Sequence, residues 1–163
     1  MAAQVVHWCT GVADASLSRA AADVERELNT QALRTEFGRA VGAEGSAFVD
    51  RLEGGLHDIV RAFNARIGHP MLTAQKSSSG VVSIMSSGAV AWVRFVADLQ
   101  TSSGNIPTIS VTVRQYGRDR LDHYPFLLHN ERLHIECAGA VMGPEQFVRA
   151  QLEPWLQALP VSR

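Results

Sequence analysis

Lysine is nearly missing from this chain: of its fifteen basic residues only Lys76 is a lysine, and the rest are arginine. With abundant alanine, that usage reflects the composition of a GC-rich genome more than a requirement for anion binding, although arginine also suits anion recognition. Sixteen acidic residues leave a formal net charge of −1. So balanced a chain lacks the surplus of cations that nonspecific nucleic-acid binding draws on. Cysteine is scarce too. Cys9 and Cys137 have neither metal-ligand nor redox spacing, which points to two reduced thiols in a reducing compartment. No apolar run approaches the roughly 20 residues of a membrane-spanning helix, and Met1–Trp8 lacks the basic start of a targeting segment. The expectation is a soluble cytoplasmic protein that does not enter membranes.

Motifs with a chemical mechanism are also lacking. There is no GxGxxG, no phosphate-loop pattern and no GxSxG. The serines at 77, 78, 79, 86 and 87 read as linker and turn residues, and none is marked out as a nucleophile. No cofactor is implied.

What is present is patterning. At 163 residues and 46% hydrophobic content, the chain is long enough for one domain with a real core. Residues 15–68 read as helical. Leu17, Ala21, Val24 and Leu28 form one stripe, and Leu33, Phe37 and Val41 form another. The phase slips at Asn29-Thr30, where Thr30 could cap a second helix, and Gly42–Gly45 marks a break before Ser46. A strong helix follows, with Val49, Leu52, Leu56, Ile59, Phe63 and Ile67 at three- and four-residue steps, ended by Gly68 and Pro70. Gly54-Gly55 inside it costs about 1 kcal/mol per residue relative to alanine, which a close crossing with another helix or the sheet would explain structurally and a ligand approaching the backbone functionally. Residues 1–13 are mildly apolar and suit an added strand or a docked tail.

Residues 80–140 read as an antiparallel sheet of four to five strands. Thr73–Gly80 reads as a polar linker into it. Ser87-Gly88 suits a two-residue hairpin that sets Ile84 opposite Ala91 and Val82 opposite Val93. Val82, Ile84, Val93 and Phe95 then share one face, while Met85, Trp92, Arg94 and Val96 share the other. Thr108–Tyr116 alternates in the same way, with Arg114 and Tyr116 on the mixed face, and 117–120 reads as a charged turn. A second hairpin turns at Asn130-Glu131 and sets Phe126 opposite Ile135 and Leu128 opposite Leu133. Pro125 lacks an amide hydrogen, so its strand is an edge or is interrupted there. Gly143-Pro144-Glu145 opens a C-terminal helix over 144–159 that Pro154 should kink or break.

The fold expected is α+β: N-terminal helices, the sheet, then one helix, with the helices mainly on the face of Val82, Phe95, Val111 and Ile135. Three functions compete. The leading one is a small non-enzymatic interaction module, a homodimer or a binder of a protein partner, using the exposed face of Trp92, Arg94, Arg114 and Tyr116. The alternative is a metal-dependent enzyme or metal-binding protein centred on His129, His134 and Glu136, which share a strand face. The last is a small ligand or weak nucleic-acid site on the aromatic-arginine face. Asp122-His123 offers a carboxylate beside an imidazole, but reads first as part of the charged turn.

Overall fold

The structure is a computed structural model that describes residues 2–77, 81–101 and 106–160, with side chains from 12 onward and Ala89 excepted. The serine-rich residues 78–80 and the loop residues 102–105 lie outside the described residues. The fold is α+β: among the described residues there are a long helix α1 (Ala2–Ile67), seven strands and a C-terminal helix α2 (Pro144–Gln157). The chain divides into two compact units, Met1–Gly38 and Arg39–Arg163.

Seven strands replace the four to five expected. They are β1 (Leu72–Lys76), β2 (Val81–Ser86), β3 (Trp92–Asp98), β4 (Thr108–Gln115), β5 (Arg118–His129), β6 (Arg132–Cys137) and β7 (Ala140–Met142). Each pairs antiparallel with its neighbour in sequence, in the order β1 to β7. β1 occupies much of the supposed polar linker. Its side chains are mostly wet, with only Leu72 buried, which suits an edge strand. Lys76 ties that edge to α1 through Asp50 (3.0 Å) and Glu53 (2.6 Å). Those two carboxylates raise the Lys76 pKa. The supposed charged turn is the start of β5, and the reversal before it is made by Tyr116 and Gly117, both at positive φ.

The β2–β3 register differs from the expected one by two residues: Ile84 faces Val93 and Val82 faces Phe95. A 3-10 turn at Ser87–Ala89 lengthens the connection. The Ser86 amide donates to the Ala91 carbonyl at 2.9 Å, and the Ser86 hydroxyl bonds both polar atoms of the Ala91 backbone. A slip of two leaves every side chain on the same face, so the expected sorting survives the error. The Asn130-Glu131 hairpin has the expected register throughout, with both turn residues at positive φ, as a tight hairpin needs. Pro125 sits where β5 changes ladder. It is the last residue paired with β4, and Phe126 is the first paired with β6.

Within the unit Arg39–Arg163 the core lies between one sheet face and the helices. Val82, Ile84, Val93, Phe95, Ile109, Val111, Leu133 and Ile135 are at most 1% exposed. From α1, Phe48, Leu52 and Leu56 are equally buried, as are Phe147, Val148 and Leu152 from α2. Phe48 meets Phe126 edge-on at 5.1 Å.

The expected breaks in α1 do not occur. Residues 2–13 are helical rather than a strand or tail, and the Thr30 hydroxyl bonds back to the Arg26 carbonyl at 2.8 Å instead of capping a new helix. Gly45 lies inside the helix beneath Leu99: a Cβ there would come within 2.8 Å of the Leu99 Cδ1, and that side chain would have to shift. At Gly55 a Cβ would touch Glu145 and Val148 of α2 at 4.0 Å, so this glycine sits at a helix crossing. α2 likewise continues past Pro154 to Gln157. No helix among the described residues is long and apolar enough to cross a membrane.

Candidate functional site

On the sheet face opposite the helices, β2, β3 and β4 bring three rows together. Met85, Trp92 and Arg114 form one row, Ser83, Arg94 and Thr112 the next, and Val81, Val96 and Ser110 the third. None of these residues is buried. Cross-strand pairing sets Arg114 beside Trp92, and the two-residue period sets Arg94 one step along the same face. Both guanidinium groups lie over the indole, with Arg94 4.8 Å and Arg114 5.3 Å from its ring centroid. Each such contact contributes about 0.5–1 kcal/mol at an exposed site, which favours this arrangement without fixing it.

The two arginines differ in their remaining partners. Arg114 is clamped by Asp119 in a two-pronged contact, Nε to Oδ1 at 2.6 Å and Nη2 to Oδ2 at 2.7 Å. The hydrogen bond from Arg114 lowers the Asp119 pKa and raises that of Arg114. Arg94 makes no ion pair among the described residues. It borders a shallow groove of about 400 Å³ lined also by Gln75, Lys76, Ser77, Val81, Ser83 and Val96. Its planar fork of donors is thus available to an acceptor pair such as a carboxylate.

Tyr116 does not join this arrangement. It lies beyond the end of β4, with φ at 52°, and its hydroxyl donates to the Ala158 carbonyl at the end of α2 over 2.7 Å. The alternation that placed it beside Arg114 stops at Gln115.

His129 and His134 stand edge to face with ring centroids 5.5 Å apart. The His134 Nδ1 lies 3.1 Å from the Arg132 carbonyl oxygen. Glu136 is exposed two residues along β6, opposite Val141. Among the described residues no three His, Cys, Asp or Glu side chains are grouped so as to hold a metal ion.

Asp122 and His123 point to opposite faces of β5. Asp122 accepts from Arg120 at 2.8 Å, while His123 Nδ1 meets the Ser110 hydroxyl at 2.8 Å. That serine-histidine contact escapes a reading of the sequence because it arises only from the β4–β5 register, which sets Ser110 opposite His123. It lies on an open sheet face and neither oxygen of Asp122 bonds the imidazole, so among the described residues no carboxylate supplies the third group of a nucleophilic triad. Cys137 is buried and accepts from the Gln151 amide at 3.4 Å, the setting of an inert thiol.

Comparison of the chain with protein-family models, with curated proteins and with solved structures finds no match.

Proposed function

We propose that this chain is a non-enzymatic interaction module that docks a protein partner on the open sheet face centred on Trp92 and Arg94. The observation carrying this reading is the contact of Arg94 and Arg114 with the Trp92 indole, with Arg94 left without an acidic partner among the described residues. Tryptophan and arginine are the side chains most often found to dominate binding energy at protein interfaces. The contacts of both guanidinium groups with the indole bias these side chains towards one arrangement, which lowers part of the conformational cost of association. The complementary surface carries an apolar group for Trp92 and Val96, with a carboxylate for Arg94. A nucleic-acid strand fits less well: Asp119 already neutralises Arg114, whereas backbone recognition draws on rows of free cations.

Trp92→Ala and Arg94→Glu test this separately. Each is expected to weaken capture of the partner from the source cell by tenfold to a hundredfold, on the scale of about 1.4–3 kcal/mol for an interface anchor. Arg149→Glu, on the outside of α2, should leave capture unchanged. Thermal unfolding midpoints within about 2 °C of the parent would show that the fold is intact. Equal capture by all three variants would end the proposal.

A metal function at His129, His134 and Glu136 is the second reading, favoured by the close approach of the two imidazoles. With no third ligand grouped there among the described residues, zinc added to untagged protein is expected to leave its unfolding midpoint unchanged. A rise of several degrees that vanishes in His134→Ala would establish the metal function instead.

A further inference from the structure

We infer that the helical unit Met1–Gly38 pairs with the same unit of a second copy, antiparallel, through Leu17, Ala21, Val24 and Leu28. Every side chain from Val12 to Glu36 is exposed, and Leu17, Val24 and Leu28 are 69%, 60% and 60% exposed. Helices of this kind draw most of their stability in water from packing an apolar face, not from propensity. The hydroxyls of Ser16, Thr30 and Thr35 bond back to carbonyls four residues earlier, and Asp23 pairs with Arg26. These polar groups are thus satisfied within the helix, whereas its apolar stripe is left exposed among the described residues.

The stripe itself selects the occupant. Its steps of four, three and four residues are those of a coiled-coil seam. Run antiparallel against a copy of itself, Leu17 meets Leu28 of the second copy and Ala21 meets its Val24, so that every layer is apolar and the middle layers combine a small with a medium side chain. The next position outward sets Asp14 against Gln31. A parallel pair would set Asp14 against Asp14 and Ala21 against Ala21, adding like-charge repulsion and leaving one thin layer. Flanking Glu25 and Glu27 fall beside Ser18 and Ala20 of the second copy in the antiparallel form, where they meet no like charge. Val12 and Leu33 lie off the seam.

This pairing is independent of the partner face on the sheet, and sedimentation of the full chain separates the two. The parent is expected to be a concentration-dependent dimer. The Val24→Glu/Leu28→Glu double variant should dissociate at least a hundredfold more readily and lose far-ultraviolet helical signal. Trp92→Ala should dimerise as the parent does. Unchanged near-ultraviolet dichroism would show that the sheet unit remains folded in each. A monomeric parent, an unaffected double variant, or a dimer lost in Trp92→Ala would each overturn the inference. Orientation is read by oxidation in a Cys9→Ser background: Leu17→Cys/Leu28→Cys should give covalent dimers, and Leu17→Cys alone should not. Efficient cross-linking of the single variant would mean parallel strands and overturn the antiparallel assignment.

Discussion

Phe147→Ala is expected to destabilise the sheet unit by about 3–5 kcal/mol, as truncation of a fully buried phenylalanine does. Phe147 is 0% exposed and lies in the first turn of α2, where Gly143 and Pro144 start the helix. Its ring meets Phe95 edge-on at 6.2 Å and Tyr124 at 5.0 Å, so it joins α2 to β3 and β5 at once. Neither neighbour can collapse into the space, because Tyr124 is held by Gln151 at 3.1 Å and Phe95 is fixed in the middle of its strand. Phe147→Leu should cost much less, about 1–1.5 kcal/mol. Urea unfolding with a common m-value measures both. A loss below about 1 kcal/mol for the alanine variant would mean that the helices do not bury this face.

The face assignment behind that prediction is legible in the sequence. Alternation in β2, β3, β4 and β6 sorts Val82, Phe95, Val111 and Ile135 to one side, and the side-chain period tolerates the register error at Ser87-Gly88. The juxtaposition of Trp92, Arg94 and Arg114 was readable for the same reason. What the pattern missed has identifiable causes. β1 buries Leu72 alone and β7 is three residues long, so neither shows an alternating signal. The Tyr116-Gly117 and Ala138-Gly139 turns put a tyrosine and an alanine at positive φ, where asparagine or glycine is expected. That is why alternation carries β4 on to Tyr116 and assigns the face a ring that bonds the Ala158 carbonyl instead. In α1 the helix runs on through Asn29, Gly42 and Gly45, and at Gly45 the missing Cβ leaves room for Leu99, 54 positions further along.

Asn64 occupies another position that periodicity does not reveal, and its loss should be costly. Its Oδ1 accepts from the Met71 amide at 2.9 Å and the Leu72 amide at 2.8 Å, and its Nδ2 donates to the Leu72 carbonyl at 2.8 Å. Its backbone carbonyl meanwhile accepts from Gly68 at 2.9 Å, closing the last turn of α1 where Gly68 adopts a φ of 89°. One residue therefore both ends the helix and fixes the first residue of the edge strand. Leu72 is 2% exposed, so backbone groups freed there do not regain water fully. Three bonds at about 1 kcal/mol each, with part of a desolvation penalty, give an expected loss of about 2–4 kcal/mol for Asn64→Ala. Asn64→Asp keeps both acceptor contacts but turns the donor contact into repulsion between a carboxylate and the Leu72 carbonyl. Its deficit should shrink as pH falls below the ordinary carboxylate range and the acid can donate again. Hydrogen exchange at Met71 and Leu72 should quicken in the alanine variant while exchange within β3 and β4 follows only the global change. Retention of slow exchange at both amides would show that β1 is held by its pairing with β2 and not by this side chain.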